Sequence, residues 1–404
     1  MDATVLQTEL ATLRRTLHQR PEIGLNLPQT QHQVIKALEG LDLEITTGTQ
    51  LSSVTAVLRG AHPGPAVLLR ADMDALPLDE ASEVEYASLN PGAMHACGHD
   101  LHTAMLVGAA RILDARRSEL HGDVVLMFQP GEEGYDGAAR MIEEGVLEAA
   151  GQRVIAAFGL HVQPAGPSRG VFTTRPGTLM GGNAHVSITV RGAGGHGAFP
   201  HLARDPITVA SEIVIALQTQ ITRRYDVFDP VVVTVGAMHA GTASNIIPDS
   251  AHMEATVRTF SVATQERTEG AITALCEGIA AAHGLTVDVE YTPRYPVTIN
   301  EPSTYDFAAA TIADVFGADR FEQLAHPLPA AEDFSHVLNE VPGCYLVLSA
   351  APDGSPTAFN HSPHAVFDDS VLADGALAHA ELAIRTLARH TGLTLQEGVR
   401  DAAR

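Results

Sequence analysis

The organisation of this chain turns on Val124-Val125-Leu126-Met127-Phe128-Gln129-Pro130-Gly131-Glu132-Glu133-Gly134. The five apolar residues read as a buried strand, and Pro-Gly with the following Gly134 marks a tight turn immediately after it. In open α/β sheets the turns at the carboxyl ends of strands line the ligand crevice. Neighbouring residues on an extended chain point to opposite sides, so a turn there can present one carboxylate to a metal and the next to a water. That is the minimum equipment for metal-assisted hydrolysis. Glutamate pairs also occur as solvated helix ends, as Glu143-Glu144 does here, so Glu132-Glu133 counts only through its place after a strand.

Further ligand-type residues occupy equivalent places. Val67-Leu68-Leu69 runs into Arg70-Ala71-Asp72-Met73-Asp74-Ala75-Leu76-Pro77, and the apolar run Val154 to Leu160 ends at His161. Cys97, His99 and His102 lie on a glycine-containing turn that enters the helical pattern Leu101 to Leu113. Phe359-Asn360-His361-Ser362-Pro363-His364 is polar and turn-like, ahead of a last helix. A lone histidine is usually structural and a lone cysteine usually an inert buried thiol. Their joint occurrence at successive strand and loop ends is hard to explain as packing.

Working outward, the pattern predicts an α/β protein. Up to about residue 180, apolar strands (Ala66 to Arg70, Val124 to Phe128, Val154 to Leu160) alternate with helical patterns, the signature of a mostly parallel sheet. After the glycine-rich connection Pro176 to Gly182, Ala184 to Val190 alternates with period two, as a half-exposed strand does. Asp205-Pro206 supplies an N-cap and a first-turn proline for a helix with Ile207, Val214, Leu217 and Ile221 at helical spacing. Val231 to Val235, His252 to Phe260, a helix through Ile272, Leu275 and Ile279, and Leu285 to Tyr291 complete a β-α-β-β-α-β order, which predicts a ferredoxin-like α+β insert. Helices and the strand Cys344 to Leu348 follow. The expected division is residues 1–181 for the first part of a catalytic domain, 182–295 for the insert, and 296–404 for the remainder of the catalytic domain.

At 404 residues the chain is long enough for two domains. Its formal net charge of −23 argues against nucleic acid or an anionic membrane as partner. No run reaches the roughly 18 apolar residues of a membrane helix, and the start carries no secretory signal pattern. Cys97, Cys276 and Cys344 are too few for a disulfide framework, which fits a reducing compartment. The expectation is a cytoplasmic enzyme.

Arg70-Ala71-Asp72-Met73-Asp74-Ala75-Leu76-Pro77, His95-Ala96-Cys97-Gly98-His99-Asp100, Gln129-Pro130-Gly131-Glu132-Glu133, Gly194-Gly195-His196, Asn245-Ile246-Ile247-Pro248-Asp249, Ala331-Glu332-Asp333-Phe334 and Asn360-His361 together resemble the metallo-amidohydrolases typified by hippurate hydrolase and the indole-acetyl-amino-acid hydrolases, relatives of aminoacylase and glutamate carboxypeptidase. The resemblance spans essentially the whole chain, in order. It implies a two-metal catalytic domain, an inserted domain that mediates a homodimer or homotetramer, and cleavage of a small-molecule N-acyl or N-aroyl amino acid.

Carried over residue by residue, the resemblance implies that Cys97, His99, Glu133, His161 and His361 are metal ligands and Glu132 the general base. It also implies that His196 stabilises the oxyanion, reaching across from a partner subunit, and that Asn245 and Arg258 hold the substrate carboxylate. The carboxypeptidase relatives have a histidine where Asp72 stands and a bridging carboxylate where Cys97 stands, so Asp72 and Asp74 are expected to support the ligands from behind. Thiolate, imidazole and carboxylate together suit zinc, while manganese, cobalt and nickel are also compatible. Within the same family the rival activities are N-acetyl-diaminopimelate deacetylase and metallo-carboxypeptidase. A cysteine hydrolase built on Cys97 would leave Glu132, Glu133 and His361 without a task, and a non-catalytic binding protein would be expected to lack a ligand or the base. The acyl group itself is not legible.

Overall fold

The computed structural model describes residues 3–353 and 358–390. The chain divides into two compact units: Met1–Gly177 with Ile299–His326 and His336–Arg404, and Thr178–Thr298 with Pro327–Ser335. The expected breaks after 181 and 295 therefore differ from this division by a few residues. They differ also by Pro327–Ser335, a short segment leading into a helix that begins at Ser335, whose membership in the second unit no periodicity announces.

The first unit contains an eight-stranded mixed sheet. Its strands are β1 (Glu44–Thr47), β2 (Val54–Leu58), β3 (His62–Asp72), β4 (His121–Gln129), β5 (Val154–Gln163), β6 (Phe172–Thr174), β15 (Phe321–Gln323) and β16 (Gly343–Ser349). The intervening β7 (Gly177–Met180) and β14 (Thr298–Asn300) lie where the chain leaves and re-enters this unit. Sheet order is β1-β2-β4-β3-β5-β16-β6-β15, with the central β4-β3-β5-β16 parallel and antiparallel pairs β1–β2, β2–β4 and β16–β6 towards the edges. The parallel strands are buried on both faces, which is why Val124 to Phe128 reads as an unbroken apolar run. α1 (Ala3–His18), α3 (His99–Ala115) and α9 (Leu372–His390) pack together, and α3 and α9 lie on β3. α2 (Pro28–Ala37), α4 (Gly137–Glu143), α7 (Pro302–Phe316) and α8 (Ser335–Glu340) complete the helices of this part of the chain. α4 stops at Glu143, and Gly145 takes φ +87° before a single turn at Val146–Glu148.

In the second unit the antiparallel sheet order is β10-β12-β8-β13, from β8 (Gly182–Arg191), β10 (Val231–Ala240), β12 (Ser250–Thr259) and β13 (Thr286–Pro293). α5 (Pro206–Arg224) and α6 (Val262–Ala282) cover one face, giving the ferredoxin-like arrangement. Asp205 caps α5 by accepting from the Ile207 N–H at 2.9 Å. Period-two alternation sends Ala184, Val186, Ile188 and Val190 into the core and turns His185, Ser187 and Thr189 outward. A ribbon of β9 (Gly195–His196) and β11 (Ile246–Ile247) stands apart from this sheet. Among the described residues no helix is long and apolar enough to cross a membrane.

Candidate metal centre

Strand ends position the donors. β3 ends at Asp72 with Asp74 just beyond it, β4 ends at Gln129 and turns through Pro130-Gly131 into Glu132 and Glu133, and His161 lies near the end of β5. Cys97 and His99 flank Gly98 at the start of α3. Gly98 has φ +85°, and a Cβ there would lie 2.3 Å from Val162 Cγ2, so both backbone conformation and space demand glycine. His361 itself has φ +66°, a conformation few non-glycine residues adopt, and such outliers cluster at functional sites.

Among the sets of three donors that converge, two share Cys97: Cys97 with His99 and His161, and Cys97 with Glu133 and His361. Within each set the ligand atoms lie within 4.8 Å of one another, and Cys97 is common to both. Cys97 Sγ is 3.5 Å from His161 Nε2, while His361 Nε2 is 3.1 Å from Glu133 Oε1. Glu132 joins His99 and Glu133 in an overlapping set.

Hydrogen bonds decide which ring nitrogens face this point. His99 Nδ1 lies 2.8 Å from the Asp74 carbonyl, and His161 Nδ1 lies 2.7 Å from the Val162 carbonyl. A carbonyl only accepts, so each Nδ1 carries the proton and each Nε2 keeps its lone pair for the centre. His99 Nε2 is buried without a hydrogen-bond partner, and Glu133 Oε1, equally buried, faces the His361 ring nitrogen. Orphaned buried acceptors are costly unless something is bound there, and a divalent cation supplies what they lack. The donor set fits zinc chemistry.

His102 sits beside these ligands but is already saturated. Its Nδ1 donates to Asp72, and its Nε2 accepts the Val162 N–H at 2.7 Å. Asp72 also accepts from Arg70 Nη1 at 2.7 Å, and Arg70 Nε donates to Gln129 at 2.9 Å, tying β3 to β4 beneath the site. The two Asp74 carboxylate oxygens accept the backbone N–H groups of Glu132 and Glu133 at 2.9 and 3.0 Å. One side chain therefore fixes the whole Glu132-Glu133 turn. Asn360 Nδ2 donates to the Cys97 and Val162 carbonyls, both at 3.3 Å. Neither the double acceptor role of Asp74 nor the saturation of His102 is visible in the sequence, although the Asp72-x-Asp74 spacing at a strand end flags both aspartates.

The electrostatics favour cations. Burial would raise the Asp72 pKa, but Arg70, His99 and His102 outweigh it and hold the carboxyl well below the usual range. Burial opposes charge on His99, yet Asp72 and the other acceptors raise its pKa well above the ordinary value. The extra proton belongs on Nε2, the place a cation would take. Hydrogen bonds to Cys97 and then Glu133 push His361 up to about 10. Burial and the neighbouring His102 push His161 well below its ordinary value, which leaves the ring neutral and its Nε2 lone pair open.

The remaining sequence candidates lie in the second unit. His196 on β9 pairs with Ile246 on β11, and the Gly197 N–H donates to the Asn245 carbonyl at 2.8 Å, so the β9–β11 ribbon brings His196 and Asn245 together. Both are exposed, and His196 Nδ1 accepts the Ala198 N–H at 3.1 Å. Arg258 lies separately, on the outward face of β12. Its Nη1 is buried without a hydrogen-bond partner, and desolvation lowers its pKa.

A buried array of thiol, imidazole and carboxylate donors at the carboxyl ends of parallel strands defines a metallohydrolase. Residues 68–385 match peptidase family M20/M25/M40; the chain belongs to this family and is a metal-dependent hydrolase of amide bonds. It is 37% identical over 95% of its length to thermostable carboxypeptidase 2 of Saccharolobus solfataricus, covering 97% of that protein. It is 36% identical to the hippurate hydrolase of Campylobacter jejuni, with 95% of this chain and 97% of that one covered. Among solved structures, the Bacillus subtilis YXEP protein, described as a dinuclear metal binding peptidase of the M20 family, superposes with a TM-score of 0.82 at 33% identity. That match covers 95% of this chain and 99% of the other.

Proposed function

We propose that the enzyme hydrolyses the amide bond of N-acyl or N-aroyl amino acids, releasing a carboxylic acid and a free amino acid. The observation that carries this reading is the convergence of Cys97, His99, Glu133, His161 and His361, with an unpartnered buried nitrogen on His99, beside a Glu132 that Asp74 fixes through its backbone. These five residues would hold two divalent cations, zinc in the first instance, with manganese, cobalt or nickel as substitutes. Bound cations supply a Lewis acid and lower the pKa of a water.

Glu132 takes a proton from the attacking water and returns it to the leaving amine. Asp72 and Asp74 orient the ligands from behind. Arg258, with a buried guanidinium nitrogen awaiting an acceptor, and Asn245 take the substrate's α-carboxylate, for which a guanidinium fork is suited. His196 donates to the developing oxyanion. In this reading the second unit is the dimerisation and lid domain, the protein is a cytoplasmic homodimer or homotetramer, and His196 comes from the partner subunit.

A hydrolysis screen of N-acyl amino acids, with metal content measured on the same sample, tests the reading. Substrates with a free α-carboxylate should be cleaved and their α-amide analogues should not. Equal rates on both would remove Arg258 and Asn245 from recognition. The similarity to thermostable carboxypeptidase 2 supports a second reading, C-terminal peptide cleavage, which faster turnover of peptides with a free amino terminus would favour. Mixing His196→Ala with Glu132→Gln subunits should restore up to about a quarter of the sites if His196 acts across a dimer. No recovery under proven subunit exchange would place His196 outside its neighbour's site.

A further inference from the structure

α1 carries two buried cationic side chains one turn apart, and both reach one carboxylate oxygen. Arg14 Nε and His18 Nδ1 each lie 2.7 Å from Asp100 Oδ2. Asp100 follows His99 in the first turn of α3 and is fully buried, as Arg14 and His18 very nearly are. The other His18 nitrogen, Nε2, lies 3.2 Å from Glu80 Oε1. Glu80 belongs to the excursion 77–93, closed at its neck where Leu76 and Met94 exchange backbone hydrogen bonds of 3.0 and 3.1 Å. Glu80 also accepts the Ser88 N–H at 2.6 Å and the Ser82 hydroxyl, so the carboxylate organises this loop from within. The loop in turn touches the turn that bears His361: the Ala81 N–H donates to the Pro363 carbonyl at 2.8 Å, and His364 Nδ1 donates to the Ala81 carbonyl at 3.0 Å.

A buried array of this kind is poor evidence for stability, because desolvating the charges offsets most of their attraction. Its position is informative instead. Asp100 is covalently next to one ligand, the neck of the loop lies between Asp74 and Cys97, and the tip of the loop is bonded beside His361. We infer that Arg14 and His18 are positioning residues for the metal centre, holding the His99 turn through Asp100 and the His361 turn through Glu80. This rests on the metal-centre reading above. His18 is suited to the task because its two ring nitrogens face opposite ways and serve both carboxylates. Burial opposes its charge, but Asp100 and Glu80 keep its pKa above the ordinary histidine value.

The experiment compares cobalt(II)-loaded full-length wild type with His18→Gln and Glu80→Gln, and with Thr12→Ala as control. Thr12 lies on the same helix but exposed, its hydroxyl donating to the Thr8 carbonyl at 2.9 Å. Cobalt affinity is measured by chelator competition, the thiolate-to-cobalt absorption band reports geometry around Cys97, and thermal melting of the metal-free protein reports stability. His18→Gln should weaken cobalt binding about 10- to 100-fold, the range for residues supporting metal ligands, and shift the band. Glu80→Gln should weaken it about three- to tenfold, below that range because it touches only the loop. Thr12→Ala should leave both unchanged. If His18→Gln does not fold, Glu80→Gln decides alone by the same measures. Wild-type band and affinity in the folded variants, whatever the melting temperature, would overturn the positioning role. A wild type that binds cobalt without a thiolate band would instead overturn the metal-centre reading itself.

Discussion

The two units each hold a cluster of histidine and glutamate, and the clusters behave differently. In the second unit, His185 and His252 bond to opposite oxygens of Glu254 on the outward sheet face, and Thr189 meets the other His252 nitrogen. All three residues are about a third exposed or more. In the first unit His99 and His161 spend Nδ1 on backbone carbonyls, and His99 Nε2 stays buried and unsatisfied. Residue type is the same in both places. A self-satisfied cluster is a surface network; a cluster with an orphaned, buried lone pair where its donors converge is prepared for an ion.

The sharpest break of this contrast is Glu132→Gln. It should keep the fold and the metal content while kcat falls about 10²- to 10⁴-fold, the usual worth of a general base. Metal lost together with activity would exchange the roles of Glu132 and Glu133. Asp74→Asn should come next, because an amide can offer an acceptor to only one of the two N–H groups that the carboxylate now receives. A loss of about 10- to 100-fold in metal affinity or activity is expected, measured by chelator competition and steady-state kinetics on the same preparation. Unchanged values would show that the turn holds itself.

A smaller effect separates burial from chemistry. His379 and His95 are buried, and desolvation lowers each pKa to about 3. A histidine whose folded pKa lies below its unfolded value binds its proton preferentially in the unfolded chain. Each therefore costs stability as pH falls below about 6.5, by about 1.4 kcal/mol per pH unit until the folded pKa is reached. His379→Gln should flatten the acid side of the denaturation profile by one such slope relative to wild type; parallel profiles would mean that His379 titrates normally in the folded protein. The smallest effect belongs to the second unit. His252→Ala should change stability by less than about 1 kcal/mol and leave metal content untouched, since it removes an exposed polar network. A change in metal stoichiometry there would erase the contrast altogether.

Much of the fold was legible because buried parallel strands must be apolar throughout and half-exposed strands must alternate. Val124 to Phe128 and Ala184 to Val190 announce the two sheets in this way. The first 60 residues escaped this reading: β1 is a short edge strand and β2 a short strand beside it, and α1 buries Arg14 and His18 where an amphipathic helix ordinarily buries apolar residues. Pro327–Ser335 carries no periodicity, so its place in the second unit could not be anticipated.

The chain's covalent order was enough to nominate the candidate donors. Glu132 and Glu133, or Cys97 and His99, travel together on one turn, and a turn must follow where a buried strand stops. It could not identify their supports. Asp74 meets the Glu132 and Glu133 N–H groups from 58 and 59 positions away, and His18 meets Asp100 from 82. Such pairings have no spacing rule, because they exist only once the packed sheet and helices bring remote backbone and side chains within hydrogen-bond reach. Only that packing fixes which nitrogen of His99 is free, that His102 is saturated, and that the His185–Glu254–His252 group satisfies itself.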